Sequence, residues 1–301
     1  MREVPRMRIG IDVGGTKIDA IILGDDTGVR KRVRRETVSG PDGVLCGIRA
    51  VVDDLLDGHD PAAQQVTHVG VGIPGVVDGA RGMVMHAVNL DIHELDLASI
   101  LAAALGTRVT VDNDVNAAAT GAAHLIGGAA PLGYLNLGTG LAAGVVVDGH
   151  VWRGSRGGAG EIGHIPADPN GYACLCGQRG CLETVASGTA LAKLWPSTSV
   201  LPAVDLFDAA DRGDARARQV RGVLVHGVAS AVRLLLLSTD VEDVVIGGGL
   251  SNLGERLLEP VRGVFVDWSA RSPFLASLGI VDRVQLLPPG VPAAAVGAAL
   301  L

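Results

Sequence analysis

The sequence predicts an α/β protein large enough for two domains, and three observations support that prediction. The chain has 301 residues, a length that suits two domains of ordinary size. Hydrophobic residues make up 48% of it and aromatic residues 3%, so the core must be built from Val, Leu, Ile and Ala, which suits buried strands flanked by helices. The third observation is a unit of strand, Gly- and Thr-containing turn and strand, which occurs twice.

The first of these units opens the chain. Three predicted strands form an antiparallel meander and span 8–13, 18–23 and 29–38. Asp12 lies near the end of the first strand, and Gly14, Gly15 and Thr16 form the turn that follows. Glycines in such a turn let backbone N–H groups approach an anion closely, as in a phosphate-binding nest. A plain tight hairpin is the alternative interpretation of the same residues.

After the meander, apolar periodicity predicts helices and further strands. The predicted helices span 42–56, 95–105, 117–123, 184–194, 204–210, 215–237, 253–266 and 292–301. The predicted strands span 66–73, 108–111, 132–137, 141–147, 150–152, 243–246 and 281–287. The segment 83–90 is predicted to be a loop. No apolar run approaches the roughly 20 residues that a membrane-spanning helix needs.

A run of polar residues follows the predicted strand 108–111 and opens the next helix. It contains Asp112, Asn113, Asp114 and Asn116. In open α/β sheets ligands gather at the carboxyl ends of strands. Helix capping by Asn113 or Asp114 is the alternative, but capping accounts for one polar residue and not for four. Asp114 is therefore a candidate catalytic base.

The second strand–turn–strand unit has Gly138, Thr139 and Gly140 between its two strands. Because both turns are able to bind phosphate, the duplication suggests two related halves that face one nucleotide. A third glycine run, 247–249, ends the strand 243–246. Glycine there would let a flat ring or a sugar approach the backbone, and a tight strand-to-helix turn explains the run equally well.

Three of the four cysteines lie close together in sequence, with a histidine ten residues upstream of the first. Tetrahedral zinc takes four nitrogen or sulfur ligands, and His164, Cys174, Cys176 and Cys181 supply one histidine and three thiolates. The Cys-x-Cys spacing is tighter than that of a generic zinc finger. A redox pair, or buried cysteines acting as small apolar residues, is the alternative. The clustering favours zinc.

Charge and cysteine usage exclude some functions. The net charge is −7 and there is no long basic block, which argues against a nucleic-acid partner. The first six residues have no apolar core of a signal peptide. Cys46 stands apart from the cysteine cluster and has no obvious disulfide partner, so we expect a reducing, cytoplasmic environment. Because no apolar run is long enough to span a membrane, we also expect no membrane partner.

Four motifs resemble the actin/hexokinase/Hsp70 superfamily of ATPases: Asp12-x-Gly-Gly-Thr-Lys17, Asp112-Asn-Asp-x-Asn116, Leu137-Gly-Thr-Gly140 and Val245-Ile-Gly-Gly-Gly249. The stretch from Glu161 to Glu183 is similar to the zinc motif of the ROK family (repressors, open reading frames, kinases). The resemblance covers nearly the whole chain. Within the family the sequence looks most like bacterial glucokinases.

The resemblance implies a two-lobed actin-like ATPase fold, which is ribonuclease H-like. It assigns residues 1–117 and 291–301 to a smaller N-terminal lobe and residues 118–290 to a larger C-terminal lobe with a zinc-binding loop at 161–183. A sugar would bind in the cleft with ATP and Mg²⁺ across it. The implied reaction is ATP-dependent phosphorylation of a hexose, glucose to glucose 6-phosphate. The family also implies a homodimer or homotetramer.

The resemblance also implies roles for individual residues. Asp114 would be the general base. Sugar hydroxyls would be contacted by Asn89, Asn113, Asp114, Glu161, His164 and Glu183. Asp12 would help to hold Mg²⁺ through water, and Lys17 would help to stabilise charge. The phosphates would be surrounded by Gly14, Gly15, Thr16, Thr139 and Gly140, and the adenosine by Gly247 and Gly248. The zinc would be structural, because four protein ligands leave no open coordination position.

Two other functions remain open at this stage. A sugar-sensing transcriptional repressor of the family would carry an N-terminal winged helix-turn-helix, and the first strand begins too early to leave room for one. A kinase of the family could use N-acetylmannosamine, fructose, mannose or allose, or polyphosphate as donor. Two departures from the glucokinase pattern bear on this choice: Ala142-Ala143 replaces glycines, and Asp91-Ile92 replaces Gly-Trp.

Overall fold

The structure is a computed structural model that describes residues 6–59, 65–126 and 130–301. It divides into two compact units. Unit 1 comprises Met1–Gly128, Gly149–Gly158 and Pro292–Leu301, and unit 2 comprises Ala129–Asp148 and Ala159–Val291.

The elements are numbered in chain order. The strands are β1 Arg6–Val13, β2 Lys17–Gly24, β3 Val29–Glu36, β4 Gln65–Ile73, β5 Val76–Asp78, β6 Met83–Ala87, β7 Ile92–Asp96, β8 Val109–Asn113, β9 Leu132–Leu137, β10 Leu141–Val147, β11 His150–Val151, β12 Asp243–Gly247 and β13 Val284–Leu286. The helices are α1 Pro41–Leu56, α2 Leu97–Leu105, α3 Asp114–Ile126, α4 Gly188–Leu194, α5 Pro202–Asp211, α6 Ala215–Thr239, α7 Glu255–Arg271, α8 Pro273–Ser277 and α9 Ala293–Leu300.

The main sheet of unit 1 has the order β3-β2-β1-β4-β8. As predicted, β1, β2 and β3 form an antiparallel meander, while β4 pairs in parallel with both β1 and β8. The buried apolar side chains of this sheet are mostly Ile and Val, with Met7, Ala20 and Leu23, and none is aromatic, in line with the composition. One face is covered by α1, whose buried residues are Val44, Ile48, Val51, Val52 and Leu55.

The C-terminal helix α9 packs on unit 1 backbone against backbone. A Cβ atom added at Gly297 would lie 1.7 Å from the carbonyl oxygen of Ala117, and one at Gly121 would lie 1.9 Å from that of Ala293. The same holds at Gly10, where a Cβ would lie 1.8 Å from the carbonyl oxygen of α9 residue Ala295. The Ala- and Gly-rich composition of α3 and α9 is therefore a packing requirement.

A second, three-stranded sheet of unit 1 has the order β5-β6-β7. The prediction of a loop over 83–90 was wrong here, because β6 occupies most of that segment and a 3₁₀ turn, Val88–Leu90, completes it. The sequence of this strand lacks the alternation of apolar and polar residues that identifies a strand. The backbone turns at His86, which has a positive φ of 53°, so the alternation of buried and exposed side chains breaks at that residue.

In unit 2 the strands lie in the order β10-β9-β12-β13. β9 and β10 are antiparallel, and β12 pairs in parallel with β9 and β13. The core of this unit includes two fully buried aromatic side chains, Phe207 of α5 and Phe265 of α7. The strands β9, β10 and β12 agree with the predicted strand–turn–strand unit and with the strand predicted over 243–246.

The longest helix, α6, is long and apolar enough to span a membrane by length and composition, with a mean hydropathy of 1.7. The sequence predicts this helix over 215–237 but contains no continuous apolar run of that length, since single Gly, His, Ser and Arg residues interrupt its apolar stretches. Of its most apolar window, 56% is buried within the protein. That burial is typical of a core helix of a folded unit.

Two further predictions in unit 2 need correction. The helix predicted over 184–194 is a 3₁₀ turn, Leu182–Thr184, followed by the shorter α4. Buried Ser187 separates them, because its side chain caps α4 by accepting a hydrogen bond from the N–H of Ala190 at 3.1 Å. The strand predicted over 281–287 is a 3₁₀ turn, Ile280–Arg283, and only then β13.

Candidate active site

The polar residues of unit 1 gather at the carboxyl ends of its parallel strands. In the sheet register Asp12 of β1 lies beside Gly72 of β4, and Gly72 lies beside Asp112 of β8. A Cβ at Gly72 would lie 3.4 Å from the Cα of Asp114, so this glycine keeps the start of α3 close to the sheet. This edge is the position at which open α/β sheets bind ligands.

The turn after β1 is closed by its own backbone. The N–H of Gly14 donates to the carbonyl oxygen of Lys17 at 2.9 Å, and the hydroxyl of Thr37 donates to the carbonyl oxygen of Gly14 at 2.7 Å. Gly15 is exposed, and a Cβ added to it would lie 3.4 Å from the Cβ of Asn89. The structure therefore brings the predicted phosphate turn and the predicted sugar contact Asn89 together.

Asp12 has an unusual pKa. Burial, followed by the nearby carboxylates of Asp114 and Asp19, raises it from 3.8 to about 7. Burial acts in the same direction on Asp19, but hydrogen bonds from Arg32 and Arg34 outweigh it and lower the pKa of Asp19. A cation near Asp12 would relieve the concentration of negative charge.

Asn113 uses its side chain to begin α3. Its Oδ1 accepts from the N–H of Val115 at 2.9 Å and from that of Asn116 at 3.3 Å, while its Nδ2 donates to the carbonyl oxygen of Gly75 at 3.1 Å. The capping alternative therefore holds for Asn113. Asp114 is the first residue of α3 and half-buried. The sugar contacts of both residues stay predictions.

Arg153 is a residue that sequence reasoning missed. Its Nε donates to Oδ2 of Asp112 at 3.0 Å, and its Nη2 donates to the same oxygen. The two residues are 41 positions apart, so no local sequence pattern connects them. One feature of the sequence pointed to a missing cation: the acidic residue Asp112 had no predicted partner or function.

In unit 2 the turn Gly138–Gly140 is hydrogen-bonded to the first residues of α4. The N–H of Gly138 donates to the carbonyl oxygen of Gly140 at 3.1 Å. The N–H groups of Gly188 and Thr189 donate to the carbonyl oxygens of Gly138 and Thr139 at 2.9 and 3.0 Å. The start of α4 thus fixes the conformation of the turn, while Thr139 itself stays exposed.

The glycines that end β12 lie beside this turn. In the sheet register Gly247 faces Asn136 of β9. Gly248 has a φ of +85°, and a Cβ there would lie 2.5 Å from the carbonyl carbon of Leu137. Glycine is required at this position on both counts. The tight-turn interpretation is thus satisfied, and the predicted adenosine contact remains a prediction.

Glu183 connects the cysteine-rich stretch to the same turn. Its Oε2 accepts from the N–H of Leu141 at 3.1 Å, and a Cβ at Gly140 would lie 2.5 Å from that oxygen. At the other end of the stretch, the N–H of Ala143 donates to the carbonyl oxygen of Gly160 at 2.8 Å. Both ends of the stretch are therefore hydrogen-bonded to β10. The side chain of Glu161, three residues before His164, is exposed.

The four predicted metal ligands form a compact cluster. Their ligand atoms all lie within 4.8 Å of one another. The Sγ of Cys174 is 3.7 Å from Nδ1 of His164, and the Sγ atoms of Cys176 and Cys181 are 3.7 Å apart. The backbone N–H of Gln178 lowers the pKa of Cys176 to about 6, whereas burial raises that of Cys181 to about 12.

The predicted site residues thus form one group in each unit. Unit 1 holds Asp12, Gly14, Gly15, Thr16, Lys17, Asn89, Asn113 and Asp114. Unit 2 holds Thr139, Gly140, Glu161, His164, Cys174, Cys176, Cys181, Glu183, Gly247 and Gly248. Carboxylate, amide and imidazole groups beside glycine turns can bind hydroxyl groups and phosphates.

Comparison with known proteins identifies the family of the chain. The model of the ROK family matches residues 8–301. The chain belongs to the ROK family. It is 34% identical to the glucokinase of Thermotoga maritima, with 94% of this chain and 98% of the relative covered.

Solved structures of the family show the same fold. The ROK family glucokinase from Streptomyces griseus in complex with glucose and AMPPNP has a TM-score of 0.79 and 29% identity, with 97% of this chain and 98% of that chain covered. The ROK hexokinase from Thermus thermophilus has a TM-score of 0.79 and 30% identity, with 98% and 97% covered. The predicted two-lobed α/β class is confirmed.

Proposed function

We propose that this ROK protein is an ATP-dependent sugar kinase that converts glucose to glucose 6-phosphate. The observation that carries the proposal is the similarity, over almost the whole of both chains, to a glucokinase solved with glucose and AMPPNP. The two glycine turns and the polar residues around them supply the groups that this reaction requires.

Asp114 is the general base of the proposed reaction. An alcohol is a poor nucleophile, so a carboxylate that accepts its proton during attack on the γ-phosphate accelerates the transfer. Asn89, Asn113, Glu161, His164 and Glu183 are the proposed partners of the sugar hydroxyls, because carboxylates, amides and imidazoles offer the acceptors and donors that a sugar needs.

The glycine turns of the two units bind the phosphates in this proposal. Gly14, Gly15 and Thr16 in unit 1 and Thr139 and Gly140 in unit 2 provide backbone and hydroxyl groups, with Lys17 as a nearby cation. Mg²⁺, when bound with ATP, neutralises charge on the phosphates. Asp12 fits a role beside that cation, because burial and the nearby carboxylates of Asp114 and Asp19 disfavour its own negative charge, and a cation would offset that cost.

The cluster of His164, Cys174, Cys176 and Cys181 holds a structural zinc ion in this proposal. Zinc–sulfur bonds of about 2.3 Å in tetrahedral geometry separate the sulfur atoms by roughly 3.8 Å, and the Sγ atoms of Cys176 and Cys181 are 3.7 Å apart. Nδ1 of His164 faces the cluster, which leaves its other ring nitrogen for a sugar hydroxyl. The zinc would thus hold the stretch from Glu161 to Glu183 in place.

The wider organisation completes the proposal. The functional lobes of this proposal follow the predicted ranges 1–117 with 291–301 and 118–290, except that residues 118–126 and 149–158 belong with unit 1. The chain assembles as a homodimer or homotetramer in this proposal. It acts in the cytoplasm on small molecules without a nucleic-acid or membrane partner. Light scattering on the purified protein would measure the number of subunits directly.

The decisive experiment is an ADP-release assay with purified protein, Mg²⁺ and each of several sugars. We expect turnover with glucose and ATP that disappears when glucose is left out. N-acetylmannosamine, fructose, mannose and allose, and polyphosphate in place of ATP, are tested in parallel by direct detection of the sugar phosphate. Turnover with another sugar alone would reject glucose, and no sugar-dependent turnover would reject the kinase.

A further inference from the structure

An ion pair between the buried Asp112 and the exposed Arg153 lies beside the first residues of α3. The side chain of Asp112 is 7% exposed and that of Arg153 is 47% exposed. The two oxygens of Asp112 have separate tasks. Oδ1 accepts from the N–H of Asn113 at 2.8 Å and from Nδ2 of Asn116 at 3.0 Å, whereas Oδ2 accepts from Nε and Nη2 of Arg153.

This division makes Asp112 a link between two parts of unit 1. Through Oδ1 it holds the strand end and the first turn of α3, which begins with Asp114. Through Oδ2 it holds Arg153. A buried carboxylate is costly unless it is paired and hydrogen-bonded, so the position of Asp112 depends on the guanidinium, and the start of α3 depends on Asp112.

The segment that carries Arg153 follows an unusual path along the chain. Gly149–Gly158 belongs to unit 1, although the residues before it, Ala129–Asp148, and those after it, Ala159–Val291, belong to unit 2. Gly149, Gly154 and Gly157 of this segment have positive φ values, a backbone conformation that glycine adopts without the strain other residues would incur. The ion pair between Arg153 and the buried Asp112 therefore strongly determines where this segment lies.

We infer that Arg153 is a positioning residue for the phosphoryl transfer. Through Asp112 it fixes the start of α3, and with it Asp114, and it fastens Gly149–Gly158 to unit 1. The inference rests on the proposed function in one respect, the role of Asp114 as base. The anchoring of the segment is independent of that role and has its own test.

Anchoring is tested by limited trypsin digestion of the whole protein. Trypsin cleaves after arginine, and Asp112→Asn leaves both Arg153 and the exposed Arg156 in place. We expect cleavage after these two residues to be several-fold faster in Asp112→Asn than in the unmodified protein, with the fragments identified by mass spectrometry. Asp282→Asn, an exposed acid of unit 2, is the matched control. Equal rates in all three proteins would overturn the anchoring.

Positioning is tested by kinetics of Arg153→Gln, Arg153→Lys, Asp112→Asn and the double variant Asp112→Asn/Arg153→Gln. Displacement of a reacting group by about 1 Å can cost about a hundredfold in rate, so we expect kcat to fall at least about tenfold in each Gln or Asn variant. KM values for sugar and ATP should stay within about twofold. The double variant should be no slower than the slower single one, because both break the same contact.

Two further measurements separate positioning from a general loss of structure. Added guanidinium ion should partly restore kcat in Arg153→Ala and leave Arg153→Lys unaffected, because guanidinium replaces the missing group in the former alone. Arg156→Gln, three residues along the segment, should keep the unmodified kcat. An unchanged kcat in Arg153→Gln, or single effects that multiply in the double variant, would overturn the inference. Failure of the unmodified protein to turn over any sugar would reject the proposed function and leave the trypsin result standing.

Discussion

Asp12 and Asp19 lie opposite each other in the register of β1 and β2, and their pKa values are shifted in opposite directions. Asp19 receives hydrogen bonds from Arg32 and Arg34 that lower its pKa. Burial and the carboxylates of Asp114 and Asp19 raise that of Asp12 to about 7. The strand pair thus presents one permanently ionised acid and one whose charge changes near neutral pH.

The first prediction concerns the pH dependence of stability in the metal-free protein. Between pH 3.8 and about 7 the folded chain keeps the proton on Asp12 while the unfolded chain has lost it. The folded state binds more protons there, so this residue lowers the free energy of unfolding as pH rises through that range. Asp12→Asn removes the effect, and its stability relative to the unmodified protein should rise by up to about 4 kcal/mol, at about 1.4 kcal/mol per pKa unit.

Urea unfolding at several pH values in the presence of a chelator measures that difference. Asp282→Asn, an exposed acid of unit 2, serves as the control. A stability difference between Asp12→Asn and the unmodified protein that is the same at pH 4.5 and pH 8 would contradict the raised pKa.

The second prediction concerns the base. Asp114→Asn keeps the size of the side chain and one acceptor oxygen but is far less basic, so kcat should fall by about 10² to 10⁴-fold. The dissociation constant for glucose, measured by calorimetry, should change little. Asp282→Asn should turn over like the unmodified enzyme. Retained turnover in Asp114→Asn would remove the base role from this residue.

The third prediction concerns zinc. Cys181 is fully buried, and Cys181→Ser should lose most of a one-to-one zinc content measured by mass spectrometry on the purified protein. KM for glucose should rise, because the stretch that carries Glu161, His164 and Glu183 loses its fixed shape. Cys46→Ser, in α1, should keep both zinc and activity. An active unmodified protein without stoichiometric zinc would exclude the structural role.

The fourth prediction concerns the packing of α9. Gly297→Ala places a Cβ 1.7 Å from the carbonyl oxygen of Ala117, so the two helices must separate, and overpacking of this kind costs about 1–3 kcal/mol or more. Gly263→Ala, in α7, meets no atom within 4 Å and should gain up to about 1 kcal/mol from helix propensity. Thermal unfolding of both variants tests the contrast, and a neutral Gly297→Ala would contradict the close approach.

Much of this fold could be predicted because its signals are local. The meander, the two glycine turns and the helices α1, α5 and α6 follow from apolar runs and turn residues within short windows. The cysteine cluster was equally accessible, since its four ligands lie within 18 positions of sequence and a loop can bring them together without help from distant elements.

Other features could not be predicted because the residues that form them are far apart. The contact between Asp112 and Arg153 spans 41 positions, and neither residue has a local pattern that identifies the other. The strand β6 was missed because tertiary pairing with β5 and β7 overrides a weak local signal at His86. The pKa of Asp12 likewise depends on burial and on the carboxylate of Asp114 at the start of α3, which is far away in the sequence.

The packing of α9 has a consequence for the way the chain folds. Ala295 in α9 covers Gly10 in β1, so unit 1 is complete only after a loop of about 280 residues has closed, at an entropic cost of about 5 kcal/mol for a flexible chain. Most of that loop passes through unit 2. If unit 2 folds first, the flexible part of the loop becomes shorter and the entropic cost of closing it falls. Folding of unit 2 therefore favours folding of unit 1 through the connectivity of the chain alone.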